Sequence, residues 1–491
     1  FLVVDYSGVY HGPCHCENCK RLFKEQYGLD IPDRDDPHSP DYRKYAAFKS
    51  ACTKAQRERL VQTVRSISPE LAINNVDYIR TESATEIGVP QWQYSASCNA
   101  RRTAGPLRLR PADNASVDFM GFRYRDSSVS AGQLALRQWQ NLANAGSVSL
   151  YIMGHLDNHK DRTALNASKA AFAFHKEHEA LYRGLQSAAK VLLVTKPIMA
   201  RSDPEVYGWV RALTESHIPF DEVKPAELTP ELLRRWDVVI LGDVKQCSPQ
   251  QTTMLDAYAA QGGIVLASGS APALQCLGLE RVHAKLTDCM STVFELGAAE
   301  SALFPRSANA HYVVPGACVS EIQFTPDTKT MLRMISEHPF GPPELCYYTA
   351  VTDVPGLGVT PYGKGKGIYI PWSVGSFYYN EGYDNTLHFM QDVLHEFCAL
   401  PELTPGLHPS VELTLSKKAD MLAVQLVNGS GVFANSYFEP VPMRDITLRL
   451  PGSAGKTAFA HNGGSVSCAD SGDDLVLTLD KLNAYEIITV Q

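Results

Sequence analysis

The chain lacks any apolar run of the about eighteen residues that a bilayer-spanning helix needs. It also lacks a long Lys/Arg run. Its 45 Lys and Arg stand against 53 Asp and Glu, a net charge of −8, which excludes a general nucleic-acid binder and a basic membrane-surface protein. Cysteine is sparse, 12 in 491 residues, and only one cluster is tightly spaced. That argues against a disulfide scaffold and for a thiol-bearing cytoplasmic protein. No secretory leader pattern is visible. The three N-x-S triplets, at Asn114, Asn166 and Asn428, read as chance. What remains is ordinary for a globular protein, 44% hydrophobic and 20% charged. The length exceeds one core, so several domains are expected.

Three segments can be drawn: 1–187, 188–405 and 406–491. In the first, strand-like and helical stretches alternate. Strands are expected at Phe1–Tyr6, Leu71–Asn75, Pro90–Ser97, Ala115–Gly121 and Ser147–Gly154. Helical patterns lie between and after them, over Cys19–Tyr27, Asp41–Ser68, Ser130–Ala145 and Leu165–Ala188. Strand, crossover helix and strand imply parallel pairing. Five strands do not close an eight-stranded barrel, so the segment reads as the C-terminal part of a (β/α)8 TIM barrel, with three strands expected before Phe1. An open sheet is the alternative.

Barrel chemistry sits at the C-terminal strand ends. Two carboxylates occupy such places, Asp5 and Asp118. A pair of acids flanking a glycosidic bond can protonate the leaving oxygen and attack the anomeric carbon or activate water. Asn75, Trp92, Tyr94, Arg123, Tyr151 and His155 are candidate substrate contacts, the aromatics suiting sugar faces. The alternative is that either Asp caps a loop or pairs with Arg123 or Arg125.

Nine residues after Asp5 comes a Cys-x-Cys-x-x-Cys cluster, Cys14, Cys16 and Cys19. Three thiolates at this spacing can reach one tetrahedral Zn²⁺. His11, His15 or a residue outside the sequence could be the fourth ligand, and three free thiols are the alternative. Such a zinc would be structural, pinning the loop after Asp5. With Asp5 and this cluster, the chain resembles the family 42 glycoside hydrolases, the β-galactosidases. The resemblance implies an acid/base at Asp5, a nucleophile at Asp118 and zinc on the three cysteines. It also implies a carbohydrate substrate and a homotrimer. The chain departs from the family in having Val4-Asp5 for Asn-Glu and Asp118 for Glu. Two shorter acids widen the gap across the site, and, since the strand-four Asp is the nucleophile in other barrel glycosidases, the resemblance leaves the roles of Asp5 and Asp118 open to exchange.

The second segment shows a further αβ alternation, with strands at Val191–Thr195, Phe220–Val223, Asp237–Gly242, Ile264–Ser268 and Gly367–Pro371. This pattern reads as a flavodoxin-like, doubly wound domain. By the same resemblance it corresponds to the glutamine-amidotransferase-like trimerisation domain of those enzymes. Gly269-Ser270 follows the fourth of these strands where an amidotransferase needs Cys, so a structural role is expected here. Phe377–Tyr383 reads as an aromatic loop. After Pro405, Gly406 and Pro409, short alternating strands separated by turn residues suggest a small β-sandwich. The function expected is that of a glycosidase using two carboxylates. A non-catalytic, oligomeric carbohydrate-binding or scaffold protein on the same fold is the alternative.

Overall fold

The computed structural model describes residues 13–491 except 35, 37–38, 75, 109–111, 196–202, 288–290, 317, 337–340 and 347–349. The chain divides into two compact units, 1–80 and 81–491.

In the first unit, α1 (Glu17–Tyr27) and α2 (Pro40–Ile67) bury a small aromatic cluster of Phe23, Tyr45 and Phe48. The rings of Phe23 and Tyr45 meet edge to face at 5.7 Å. Ser39 caps α2 by accepting from the Tyr42 amide, and Pro40 fits its first turn. The strand expected over Leu71–Asn75 is not formed in the described part; only an isolated bridge joins Asn74 to Tyr78. The cause is local. The Asp77 carboxylate accepts from the Ile73 amide at 2.7 Å, and the Asp77 amide donates to the Ile73 carbonyl at 2.9 Å. A tight turn thereby captures the groups a ladder would need. Strand β1 (Ile79–Ser83) follows.

The second unit opens with α3 (Ser95–Ala104), β2 (Ala112–Val117), α4 (Ala131–Ala143), β3 (Leu150–Tyr151), α5 (Leu165–Glu177) and α6 (Glu179–Tyr182). β1, β2 and β3 form a three-stranded sheet in that order, with β2 and β3 parallel. The strand expected over Pro90–Ser97 is instead a loop leading into α3. Ala96, Ala100 and Ala104 recur every four residues on a buried helix face, and that helical period outweighs the aromatic pair before it.

Next come β4 (Gln186–Ser187), β5 (Val191–Val194), α7 (Pro204–Glu215), β6 (Phe220–Val223), α8 (Pro230–Leu233), β7 (Val238–Gly242), α9 (Pro249–Ala260) and β8 (Ile264–Ser268). They are followed by β9 (Leu279–Thr287), β10 (Val293–Glu295), β11 (Tyr312–Val313), β12 (Cys318–Phe324), β13 (Lys329–Ile335), β14 (Val351–Tyr362) and β15 (Gly365–Ile370). Nine strands make one mixed sheet, ordered β11-β10-β13-β14-β15-β8-β7-β5-β6. The five from β15 to β6 are parallel. Their apolar runs alternate between two cores. Val191, Leu193 and Ile240 face α7 and the helices that follow β15, whereas Leu192, Val194 and Val239 face α8 and α9. The antiparallel extension from β10 to β14 had no counterpart in the sequence reading. The expected aromatic loop is helix α10 (Val374–Glu381), with Tyr378 buried, followed by α11 (Asp384–Asp392).

The last segment holds β16 (Val411–Lys418), β17 (Met421–Asn428), β18 (Val432–Phe433), β19 (Ser436–Tyr437), β20 (Met443–Leu450), β21 (Ala458–Ala460), β22 (Val466–Ser471), β23 (Asp474–Leu482) and β24 (Tyr485–Val490). The sheets β21-β24-β17-β16-β4 and β20-β23-β22 enclose a shared aliphatic core. The outer face of the larger sheet packs on α4, where Trp139 stacks on Tyr485 at 4.9 Å. Among the described residues, no helix is long and apolar enough to cross a membrane.

Candidate active site

Strand β2 reads ADNASV and leads directly to Asp118. Alternation places Asn114, Ser116 and Asp118 on one side of the strand. All three are fully buried, and burying polar groups is unfavourable unless they find partners. Asn114 finds them: its amide donates to Asn141 Oδ1 at 2.7 Å and to Ser83 Oγ at 3.0 Å. Ser116 Oγ accepts from Asn141 at 3.3 Å.

Asp118 departs from this pattern. Its amide donates to the Tyr151 carbonyl at 2.9 Å, tying the ends of β2 and β3 together. Its Oδ1 accepts from Ser128 Oγ. Its Oδ2 is buried and unpaired, the only carboxylate oxygen in that condition among the described residues. Burial pushes the Asp118 pKa up, against the Ser128 hydrogen bond and the charge of His159, which favour the ionised form. His159 is itself buried, with Nε2 unpaired. Asp161 accepts from the Ser128 amide at 2.9 Å and from Thr163 Oγ1 at 2.6 Å, and these bonds hold its pKa down. On the helix side, Arg137 donates to the Val117 carbonyl and to Thr85 Oγ1, each at 2.9 Å. Burial lowers the Arg137 pKa to about 10, and Tyr437 and Asp118 favour its charge. Two neighbouring acids are thus displaced in opposite directions, a feature of sites that move protons.

The other sequence candidates divide. Tyr151 is half-buried beside Asp118, its ring 5.6 Å from Phe119. Arg123 and His155 are exposed, Arg123 in a 3-10 turn between the exposed rings of Phe122 and Tyr124 and His155 on a loop. Trp92 and Tyr94 sit elsewhere, in contact with the helices of the nine-stranded sheet. Trp92 lies 5.1 Å from Tyr207 and 5.5 Å from Tyr379, and the Tyr94 hydroxyl donates to Glu215 at 3.1 Å. Asp5 and Asn75 lie outside the described residues, as does His11. Sequence reasoning missed Ser128, Arg137, His159 and Asp161. The available signal was the polar run Asp157–Asp161 after β3.

In the first unit, the Sγ atoms of Cys14, Cys16 and Cys19 lie within 4.8 Å of one another. Cys16 is the N-cap of α1, and the Cys19 amide and thiol lower its pKa. Burial and the two neighbouring sulfurs push Cys19 up to about 12. A divalent cation would remove that conflict by taking all three as thiolates. His15 is exposed and outside the group. A cavity of about 360 Å³ opens elsewhere, lined by Lys190, Arg235, Trp236 and Lys417, and none of the candidate acids lines it.

No protein-family model matches the chain, and no curated protein matches it in sequence. Solved structures do match. An α-L-fucosidase isoenzyme 2 from Paenibacillus thiaminolyticus aligns over 98% of this chain and 76% of its own, with a TM-score of 0.76 at 20% identity. A β-galactosidase from Bacillus circulans sp. alkalophilus covers 98% and 78%, with 0.67 at 14%. A catalytic mutant of a GH42 β-galactosidase from G. stearothermophilus covers 98% and 77%, with 0.63 at 12%. Across nearly its whole length, the chain therefore has the mixed α/β fold of these glycoside hydrolases, a family 42-like fold.

Proposed function

We propose that this protein is a glycoside hydrolase and that Asp118 is its reacting carboxylate. The observation that carries the reading is the free Oδ2 of Asp118. The polar file leading to it is satisfied, and the last member keeps one oxygen unpaired at a strand end. On this reading Ser128 holds Oδ1, and Oδ2 attacks the anomeric carbon as nucleophile. The second carboxylate is Asp5, the acid/base by sequence resemblance. β1 to β3 belong to the C-terminal part of a TIM barrel, and the nine-stranded sheet corresponds to the trimerisation domain, making the protein a homotrimer. The free thiols among the described cysteines fit a cytoplasmic location. Cys14, Cys16 and Cys19 hold a structural Zn²⁺ that pins the chain ahead of α1.

The neighbours' names put β-galactosides and α-L-fucosides first among substrates. The test is a panel of aryl glycosides, comprising α- and β-galactosides, glucosides, fucosides and arabinosides. Turnover of one class, lost in Asp118→Asn and Asp5→Asn, is expected. The complete burial of Asp118 favours a second reading, a non-catalytic carbohydrate-binding oligomer. Folded protein without turnover on any member, but binding free galactose or fucose, would select it.

A further inference from the structure

We propose that Ser128 and Asp161 are positioning residues that fix Asp118 with one oxygen engaged and the other free of hydrogen bonds. The inference deepens the reading of Asp118 as the reacting carboxylate and rests on it. The argument begins with the chain of contacts. Asp161, on the loop after β3, accepts from Thr163 at both its amide (3.0 Å) and its hydroxyl (2.6 Å) through Oδ1. Its Oδ2 accepts from the Ser128 amide at 2.9 Å. Ser128 then donates its hydroxyl to Asp118 Oδ1. Loop, serine and strand end are linked in one line, so the Asp118 carboxyl plane is set from the β3 side.

A purely structural carboxylate would use both oxygens, as Glu205 does. Its Oε1 accepts from Ser268 Oγ at 2.5 Å and the Gly375 amide at 3.1 Å, and its Oε2 accepts from the Ser376 amide at 2.7 Å. Asp118 is equally buried, yet its Oδ2 has no hydrogen-bond partner, the Val129 amide nearby adding only to what favours the ionised carboxylate. The other charged or titratable groups around it are His159 and Asp161 from the loop after β3, and Arg137 from α4. None of them hydrogen-bonds Oδ2.

The test uses the best aryl glycoside from the panel. Ser128→Ala should lower kcat by about 10- to 100-fold, the scale of one hydrogen bond to a charged group, with KM little changed. The acid limb of kcat/KM should move to higher pH, because a bond favouring the ionised form is gone. Ser128→Thr, which keeps the hydroxyl, should restore both. Asp161→Ala should lower kcat similarly, and the double variant should be no worse than either single one, since both act through one contact. An unchanged kcat and pH limb in Ser128→Ala, while Asp118→Asn is inactive, would overturn the proposal and leave the hydrolase reading standing. If the wild-type protein turns over nothing, the hydrolase reading fails separately. The carboxyl of Asp118 is then titrated by ¹³C NMR in Asp-labelled protein, with Asp118→Asn assigning the resonance. An upward shift in Ser128→Ala upholds the clamp, and an unmoved titration refutes it.

Discussion

Glu222 on β6 is the best place to measure what joins the first helices of the second unit to its large sheet. It is 1% exposed and holds two guanidinium groups of α3, Arg101 Nε at 3.0 Å and Arg102 Nε at 2.5 Å. Arg101 also donates to Asn144 at 2.8 Å and lies 4.2 Å from the Phe220 ring centroid. Glu222→Ala would leave both guanidinium groups without their hydrogen-bonded anion, with Glu412 and Asp221 as further carboxylates acting on Arg101. Breaking a buried pair in this way costs about 3–5 kcal/mol, whereas an exposed pair contributes about 0–1 kcal/mol. Glu222→Gln keeps an acceptor but loses the charge, so an intermediate cost of about 1–3 kcal/mol is expected. Urea unfolding followed by tryptophan fluorescence would read the shift in midpoint. The chain has more than one unit, so the transition of residues 81–491 must be resolved from that of 1–80. A loss below about 1 kcal/mol in Glu222→Ala would show that the contact is solvated like a surface pair, and the reasoning would fail.

Two further outcomes are expected. His217 is buried, sits at φ 53° and has its pKa pushed down to about 4 by burial, so the unfolded chain takes up this proton first. Its contribution to stability is present above the unfolded pKa of about 6.5 and is lost as pH falls toward 4, by about 3 kcal/mol in total. His217→Asn, which tolerates the positive φ, should flatten that part of the stability–pH curve; an identical slope in both proteins would contradict the assignment. Purified protein should carry zinc at one ion per chain, and Cys16→Ser should lose it along with the stability of the first unit. Folded protein stripped of zinc should keep its turnover, and loss of turnover without unfolding would point to a catalytic metal instead.

Legibility in the sequence followed the kind of signal each region carried. The parallel strands β5, β7 and β8 announce themselves because both faces are buried and their runs are apolar, whereas β6 carries the buried Asp221 and Glu222. The Cys cluster is visible because its residue type and its tight spacing are both read directly from the sequence. Asp118 stood out as an acid at the end of an expected strand. Ser128 and Asp161 did not, because nothing in a polar loop reveals which serine will meet a carboxylate ten residues away. Trp92 and Tyr94 look like sugar platforms in one dimension; the fold places them against Tyr207, Tyr379 and Glu215. β9 presents mostly exposed side chains, so no buried apolar run marks it in the sequence.

The most direct measurement of the central claim is turnover of the preferred aryl glycoside by wild type, Asp118→Asn and Asp118→Gly, the last with and without azide. A reacting carboxylate predicts a loss of about a thousandfold or more in both variants. It also predicts partial recovery in Asp118→Gly when azide takes the vacated place, with a glycosyl azide as product. Turnover of Asp118→Asn within a few-fold of wild type would contradict the account, because an amide cannot attack the anomeric carbon.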